Sequence, residues 1–341
     1  MIKTTLLLLL LLPITVFAQD LGKIKGINAR HFQLKSQKDS IDFLLINDEI
    51  GKKKPVLLFC QGSHPFPLII TYDDGYKFYP ALSAFNYDQL ARDYHLVIIS
   101  MPKTPVDVNA KKLNSSNLVV RDPAIANSWT KAFLDANYFE NYVNRARKVI
   151  GYLAKQKWVD RKHISILGHS QGAKVAVGAA VGNRNVFKVG FFSGNPYGRL
   201  DQTFRVLRNS ALTGKRPQAE VQTEIDRYYK VWEDVVKHPN DRKEEYDFSN
   251  RNWISFEKSI MPSLLKLDMP LYVAYGTEDP VAIMCDMIPI EFTAAKKTNL
   301  TMKAYVGLEH NFREVSSDGV IHDDKIHWQE AIEEFVKWLK L

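Results

Sequence analysis

The sequence predicts an α/β architecture: a mostly parallel central sheet with helices on both faces and a helical cap insertion. Short continuous apolar runs recur along the chain, each bounded by turn residues, and helical apolar patterns lie between them. One interval of about 70 residues breaks that alternation, far more than a simple crossover needs. The chain has 341 residues, 45% hydrophobic and 25% charged, which is enough for an enzyme-sized core and excludes collagen-like, disordered and disulfide-stapled scaffolds.

At the N-terminus, Lys3 precedes an apolar stretch from Leu6 to Phe17, then the small Ala18. That pattern reads as a secretory signal peptide over residues 1–18, since the stretch is shorter than the roughly 20 residues of a membrane-spanning helix. The expected product begins near Gln19, is exported to the periplasm or secreted, and keeps no stable membrane anchor. Residues 19–341 then form one domain with the insertion at about 197–266.

The segments Ile27–Leu34 and Ile41–Ile46 read as a leading antiparallel pair. Lys52-Lys53-Lys54 reads as a solvated turn before a strand at Pro55–Cys60. Further buried strands are predicted at His95–Ser100, His163–Leu167, Val189–Ser193, Leu271–Tyr275 and Leu300–Tyr305. Tyr142, Ala146, Val149, Ile150 and Leu153 recur at helical spacing, as do Trp328, Ala331, Ile332, Phe335, Val336 and Leu339. Within the insertion, Val221, Ile225, Tyr228, Trp232 and Val236 share one predicted helical face. Cys60 and Cys285 permit one disulfide, but their apolar contexts favour two small buried side chains.

The chemistry concentrates where the strand at His163–Leu167 ends. Gly168-His169-Ser170-Gln171-Gly172 is a G-x-S-x-G sequence set between a strand and an apolar helix. A serine hydroxyl is a weak nucleophile and needs a base oriented by an acid. Two later strands end in suitable groups: Gly276-Thr277-Glu278-Asp279-Pro280-Val281 and Gly307-Leu308-Glu309-His310-Asn311-Phe312. With these three motifs in the order Ser, Asp, His, the sequence resembles the α/β-hydrolase fold family over nearly all of the chain after the signal peptide.

The resemblance implies that Ser170 is the nucleophile, Asp279 the orienting acid and His310 the general base. Glu278 competes with Asp279, but in similar loops the acid stands just before a Pro-Val pair. His322 and His327 read as solvated, His95 as structural, and His169 as a packing or hydrogen-bonding residue pointing away from the reacting centre. The oxyanion donors implied are the backbone N–H groups of Gln171 and of Ser63, although the second loop carries Gln61-Gly62 where many family members have His-Gly. His64 reads equally as a pocket or an exposed residue, and Phe66, Leu68, Tyr72, Tyr76, Phe78 and Tyr79 as pocket wall or core.

No zinc spacing, Walker loop or dinucleotide fingerprint is present, so no metal or organic cofactor is expected. The 46 basic and 38 acidic residues are interspersed without a stripe, which argues against nucleic acid and leaves room for anionic substrates. The reading that results is an exported carboxylic ester hydrolase acting on small-molecule acyl substrates. A prolyl-oligopeptidase-like peptidase and a non-catalytic binding protein on the same fold are the alternatives.

Overall fold

A computed structural model of the chain describes residues 17–35, 40–125, 127–241 and 248–341. Most of the expected signal peptide, residues 1–16, lies outside the described residues. The central sheet is built from β1 (Phe17–Lys23), β2 (Ala29–Lys35), β3 (Ser40–Ile46), β4 (Lys54–Cys60), β5 (His95–Ile99), β6 (Val159–His169), β7 (Val189–Phe192), β8 (Leu271–Gly276) and β9 (Leu300–Tyr305). Their spatial order is β1-β2-β3-β5-β4-β6-β7-β8-β9. The β1–β2, β2–β3 and β3–β5 pairs are antiparallel, and all the remaining pairs are parallel.

The helices are α1 (Tyr87–Asp93), α2 (Lys131–Ala136), α3 (Phe139–Leu153), α4 (Gln171–Ala180), α5 (Arg199–Leu212), α6 (Gln218–Lys237), α7 (Asn250–Glu257), α8 (Met261–Leu265), α9 (Ile288–Ala294) and α10 (Trp328–Leu339). Why the central strands read as unbroken apolar runs is visible in their alternation. Val56, Leu58 and Cys60 of β4 enter the core shared with α3, α4, α8 and α9, whereas Leu57 and Phe59 enter the core shared with α1 and α10. Leu96 and Ile98 of β5 alternate with Val97 and Ile99 in the same way. A strand buried on both faces has no polar side to show.

The strand order reverses at β4, whose neighbours are β5 on one side and β6 on the other. Loops leaving the carboxyl ends of β4 and β6 therefore diverge, opening a crevice at that edge. Register aligns the strand ends there: Cys60 pairs with Gly168, Phe192 with both His169 and Ala274, and Gly276 with Tyr305.

Several sequence expectations are corrected. β6 is longer than the predicted His163–Leu167, because its exposed first half carries Asp160, Arg161 and Lys162 and shows no apolar run. Lys54 is not part of a solvated turn: it opens β4, is buried, pairs with Glu49 and donates to the Ala91 carbonyl at 3.0 Å. The buried face of α6 holds Val221, Ile225, Val231 and Val235, so Val236 lies outside it and is exposed. Cys60 and Cys285 are free and buried, and burial pushes the Cys60 thiol up to about 12. Between β7 and β8, helices α5 to α8 occupy the interval expected to carry the insertion. Among the described residues, no helix is long and apolar enough to cross a membrane.

The C-terminal helix closes one face of the sheet. Phe335 is fully buried, with its ring centroid 5.4 Å from Phe192 and 5.5 Å from Tyr272. Phe335→Ala is expected to lower the unfolding free energy by about 3–5 kcal/mol, read from urea denaturation, and a loss under about 1 kcal/mol would contradict this packing.

Candidate active site

β6 ends at His169 and α4 begins at Gln171, so Ser170 alone makes the turn between them, with φ +57° and ψ −124°. A residue with a Cβ is strained there and is held only by its surroundings. Both glycines of the motif are steric requirements. A Cβ on Gly168 would stand 2.0 Å from the Gly172 carbonyl oxygen, and one on Gly172 would stand 2.1 Å from that of Cys60. The first turn of α4 is thus pressed against the loop leaving β4, and Gly62 of that loop faces the Ser170 side chain. Gln61 pins the loop by donating to the Ile99 carbonyl at 3.2 Å.

The loops after β8 and β9 meet equally closely. A Cβ on Gly276 would lie 2.0 Å from the Leu308 carbonyl oxygen. That approach sets Asp279 beside His310: the Asp279 Oδ2 atom is 2.7 Å from His310 Nδ1, and His310 Nε2 is 2.9 Å from Ser170 Oγ. Asp279 is completely buried, and its Oδ1 accepts from the Val281 N–H at 2.8 Å. Because a carboxylate only accepts, the imidazole proton belongs on Nδ1, which leaves Nε2 free to accept from the serine hydroxyl. Neighbouring Glu278 is exposed and takes no part.

The remaining histidines divide by environment. His169 Nε2 donates to the His310 carbonyl at 3.0 Å, and its ring lies 4.9 Å from Trp328. Burial, with the charge of His310, pushes its pKa down to about 3, so it stays a neutral strut beneath His310. His95 is buried, with Nε2 3.0 Å and 2.9 Å from the Lys52 and Trp158 carbonyls. His327 is not simply solvated. It lies 3.1 Å from both Glu314 and Glu330, and bonding to those carboxylates raises its pKa. His322 sits in a hairpin formed by Arg313–Val315 and Ile321–Ile326.

Ser170 stands between two adjoining cavities. The first, about 340 Å³, runs toward α5 and α7 and is walled by Gln171, Lys174, Arg199, Trp129, Tyr228 and Trp253. The second, about 550 Å³, contains His310 and is walled by Phe59, Phe66, Phe85 and Trp328. His64 lines both, and burial followed by the charge of His310 lowers its pKa. The aromatic loop divides accordingly: Phe66 reaches the second cavity, Leu68 and Tyr79 are core, and Tyr72, Tyr76 and Phe78 stack on one another on a separate small sheet.

Ser63 and Gln171, the two expected oxyanion donors, line the first cavity beside Ser170, and neither N–H donates to a described backbone group. Sequence reasoning missed Arg199 and Lys174. The one available signal was a lysine inside the apolar helix that follows the serine. No described group of three or more His, Cys, Asp or Glu side chains is arranged to hold a metal ion.

No family model and no curated protein matches the chain. Solved structures do. Dipeptidyl peptidase 4 of Porphyromonas gingivalis superposes with a TM-score of 0.53 at 12% identity, covering 92% of this chain and 35% of that one. The acylaminoacyl peptidase of Pyrococcus horikoshii gives 0.55 at 16%, covering 93% and 42%. An acetyl xylan esterase from Paenibacillus sp. R4 gives 0.50 at 13%, covering 96% and 89%. The chain therefore spans well under half the length of the two peptidases. Identities this low speak to architecture, and together with the strand order and the serine turn they establish that this chain adopts the α/β-hydrolase fold.

Proposed function

We propose that the chain is a serine hydrolase that cleaves small-molecule carboxylic esters. One observation carries the reading: the continuous path from the strained Ser170 through His310 to the buried Asp279, at 2.9 Å and 2.7 Å. As Ser170 Oγ attacks the ester carbonyl, its proton passes to His310 Nε2, and the imidazolium formed is stabilised by the Asp279 carboxylate. The Ser63 and Gln171 N–H groups are assigned to the developing oxyanion. Collapse breaks the bond to the alcohol, which takes the proton from His310. Water, deprotonated by the same imidazole, then attacks the acyl-serine, releasing the carboxylic acid and restoring Ser170.

Of the prolyl-oligopeptidase-like alternative, the form that acts on peptides with a free N-terminus is disfavoured for an electrostatic reason. No Asp or Glu among the described residues lines either cavity, so the free α-ammonium of a peptide finds no counter-charge there. Export is part of the proposal, with residues 1–18 removed as a signal peptide.

Three results are expected. Ser170→Ala lowers turnover of a short-chain 4-nitrophenyl ester at least about a thousandfold, and full activity in that variant overturns the assignment. Asp279→Asn lowers kcat about ten-thousandfold, because the asparagine amide favours the wrong imidazole tautomer, whereas Glu278→Gln changes it little. N-terminal sequencing of the protein from the native host's periplasm or medium begins near Gln19; an intact Met1 on cytosolic protein contradicts export.

A further inference from the structure

The serine-hydrolase reading gives the two cavities different tasks. His310 protonates the leaving group, so the alcohol lies on the side of the cavity whose walls include His310. The acyl chain then extends into the other cavity, whose walls include Gln171.

That acyl cavity is cationic. Lys174 and Arg199 line it, and no carboxylate among the described residues does. The Arg199 guanidinium is held in a fixed pose: it donates to Asn252 Oδ1 and, at 3.2 Å, to Gln171 Oε1, and it sits 4.5 Å over the Phe248 ring and 5.4 Å from Trp253 and Phe256. Asn252 is itself fully buried and fixed by donating to the Asn137 carbonyl at 2.7 Å, which turns its oxygen toward the arginine. Buried Lys174 donates to the carbonyls of Tyr197 and Phe256. Burial and then the charge of Arg199 push its pKa down to about 8, so at neutral pH it still carries a proton. Two carboxylates act on Lys174 from outside the cavity walls: Glu257, which accepts from the Leu200 N–H at the head of α5 at 2.7 Å, and Asp201, which pairs with Arg205 at 2.6 Å. A preorganised planar cation among aromatic rings suits a carboxylate, because little conformational entropy remains to be lost on pairing.

We infer that the cavity bounded by Arg199 and Lys174 is an anion-selective acyl subsite, and that the substrates are esters whose acyl part ends in a second carboxylate, as in half-esters of dicarboxylic acids. The inference rests on the hydrolase reading, and its test keeps the two apart. The full chain is assayed with 4-nitrophenyl hydrogen glutarate and with 4-nitrophenyl valerate, which share chain length and leaving group and differ in the terminal charge. Rates are taken above those of Ser170→Ala, because the glutarate half-ester also hydrolyses spontaneously.

The expected result is a kcat/KM ratio favouring the glutarate ester at least about tenfold, falling toward unity in Arg199→Gln and only partly recovered in Arg199→Lys, which restores the charge without the planar fork. Added sodium chloride should erode turnover of the charged ester and leave that of the neutral one steady. This arm holds even where the variants fold poorly. A wild-type enzyme that prefers the valerate ester, or a ratio unmoved by Arg199→Gln, overturns the subsite alone. Absence of turnover with both esters overturns the hydrolase reading beneath it.

Discussion

Everything at this site depends on one strained residue. Ser170 occupies backbone space that side chains avoid, and it stays there because the strand before it and the helix after it are both locked in the core. Ile166 and Leu167 anchor β6 on opposite faces, while Ala173, Val175, Ala176 and Val177 bury the helix that follows. The strain has a geometric product. With the whole reversal made at a single residue, its hydroxyl stands off the carboxyl edge and the next backbone N–H groups open the helix beside it. Gly168 and Gly172 make the arrangement possible by letting backbones meet at distances a methyl group would forbid.

The second constraint is a buried charge. Asp279 has no exposure, so its ionised form must be offset by local donors, and the His310 ring and Val281 N–H supply them. His310 is held from below as well, through its own carbonyl, by the neutral His169 wedged against Trp328. Packing from α10 thus reaches the imidazole that faces the serine. Ser, His and Asp come from loops after β6, β9 and β8, and it is the parallel register of those strands that brings the loops to one edge.

Much of this was legible in the residues. Strands buried on both faces appear as short apolar runs, and β4, β5, β7 and β8 lie within a residue of the ends those runs predict. β9 also lies where expected, but as the edge of the sheet it is only partly buried, with Tyr305 alone fully so, and the expectation of a buried strand there is corrected. The serine, acid and histidine motifs each follow such a run, which is why their convergence could be anticipated. Other features left little local trace. β1 is a mostly exposed edge strand with mixed polarity, and in the first half of β6 only Val159 enters the core while Asp160 to His163 face outward, so that half shows no apolar run. Arg199 and Lys174 lie 25 positions apart on different helices, so only the folded chain shows that they share a cavity with Ser170. Periodicity also misjudged α6 by one position, exchanging Val235 for Val236, since a helix face drifts over five turns.

The central claim is that Ser170 is the activated nucleophile, although Ser63 lines the same two cavities. Intact-mass and peptide analysis after exposure to a fluorophosphonate decides this most directly. The account requires one adduct per chain, carried by the peptide that contains Ser170. An adduct on Ser63 or elsewhere, or none at all, would contradict it.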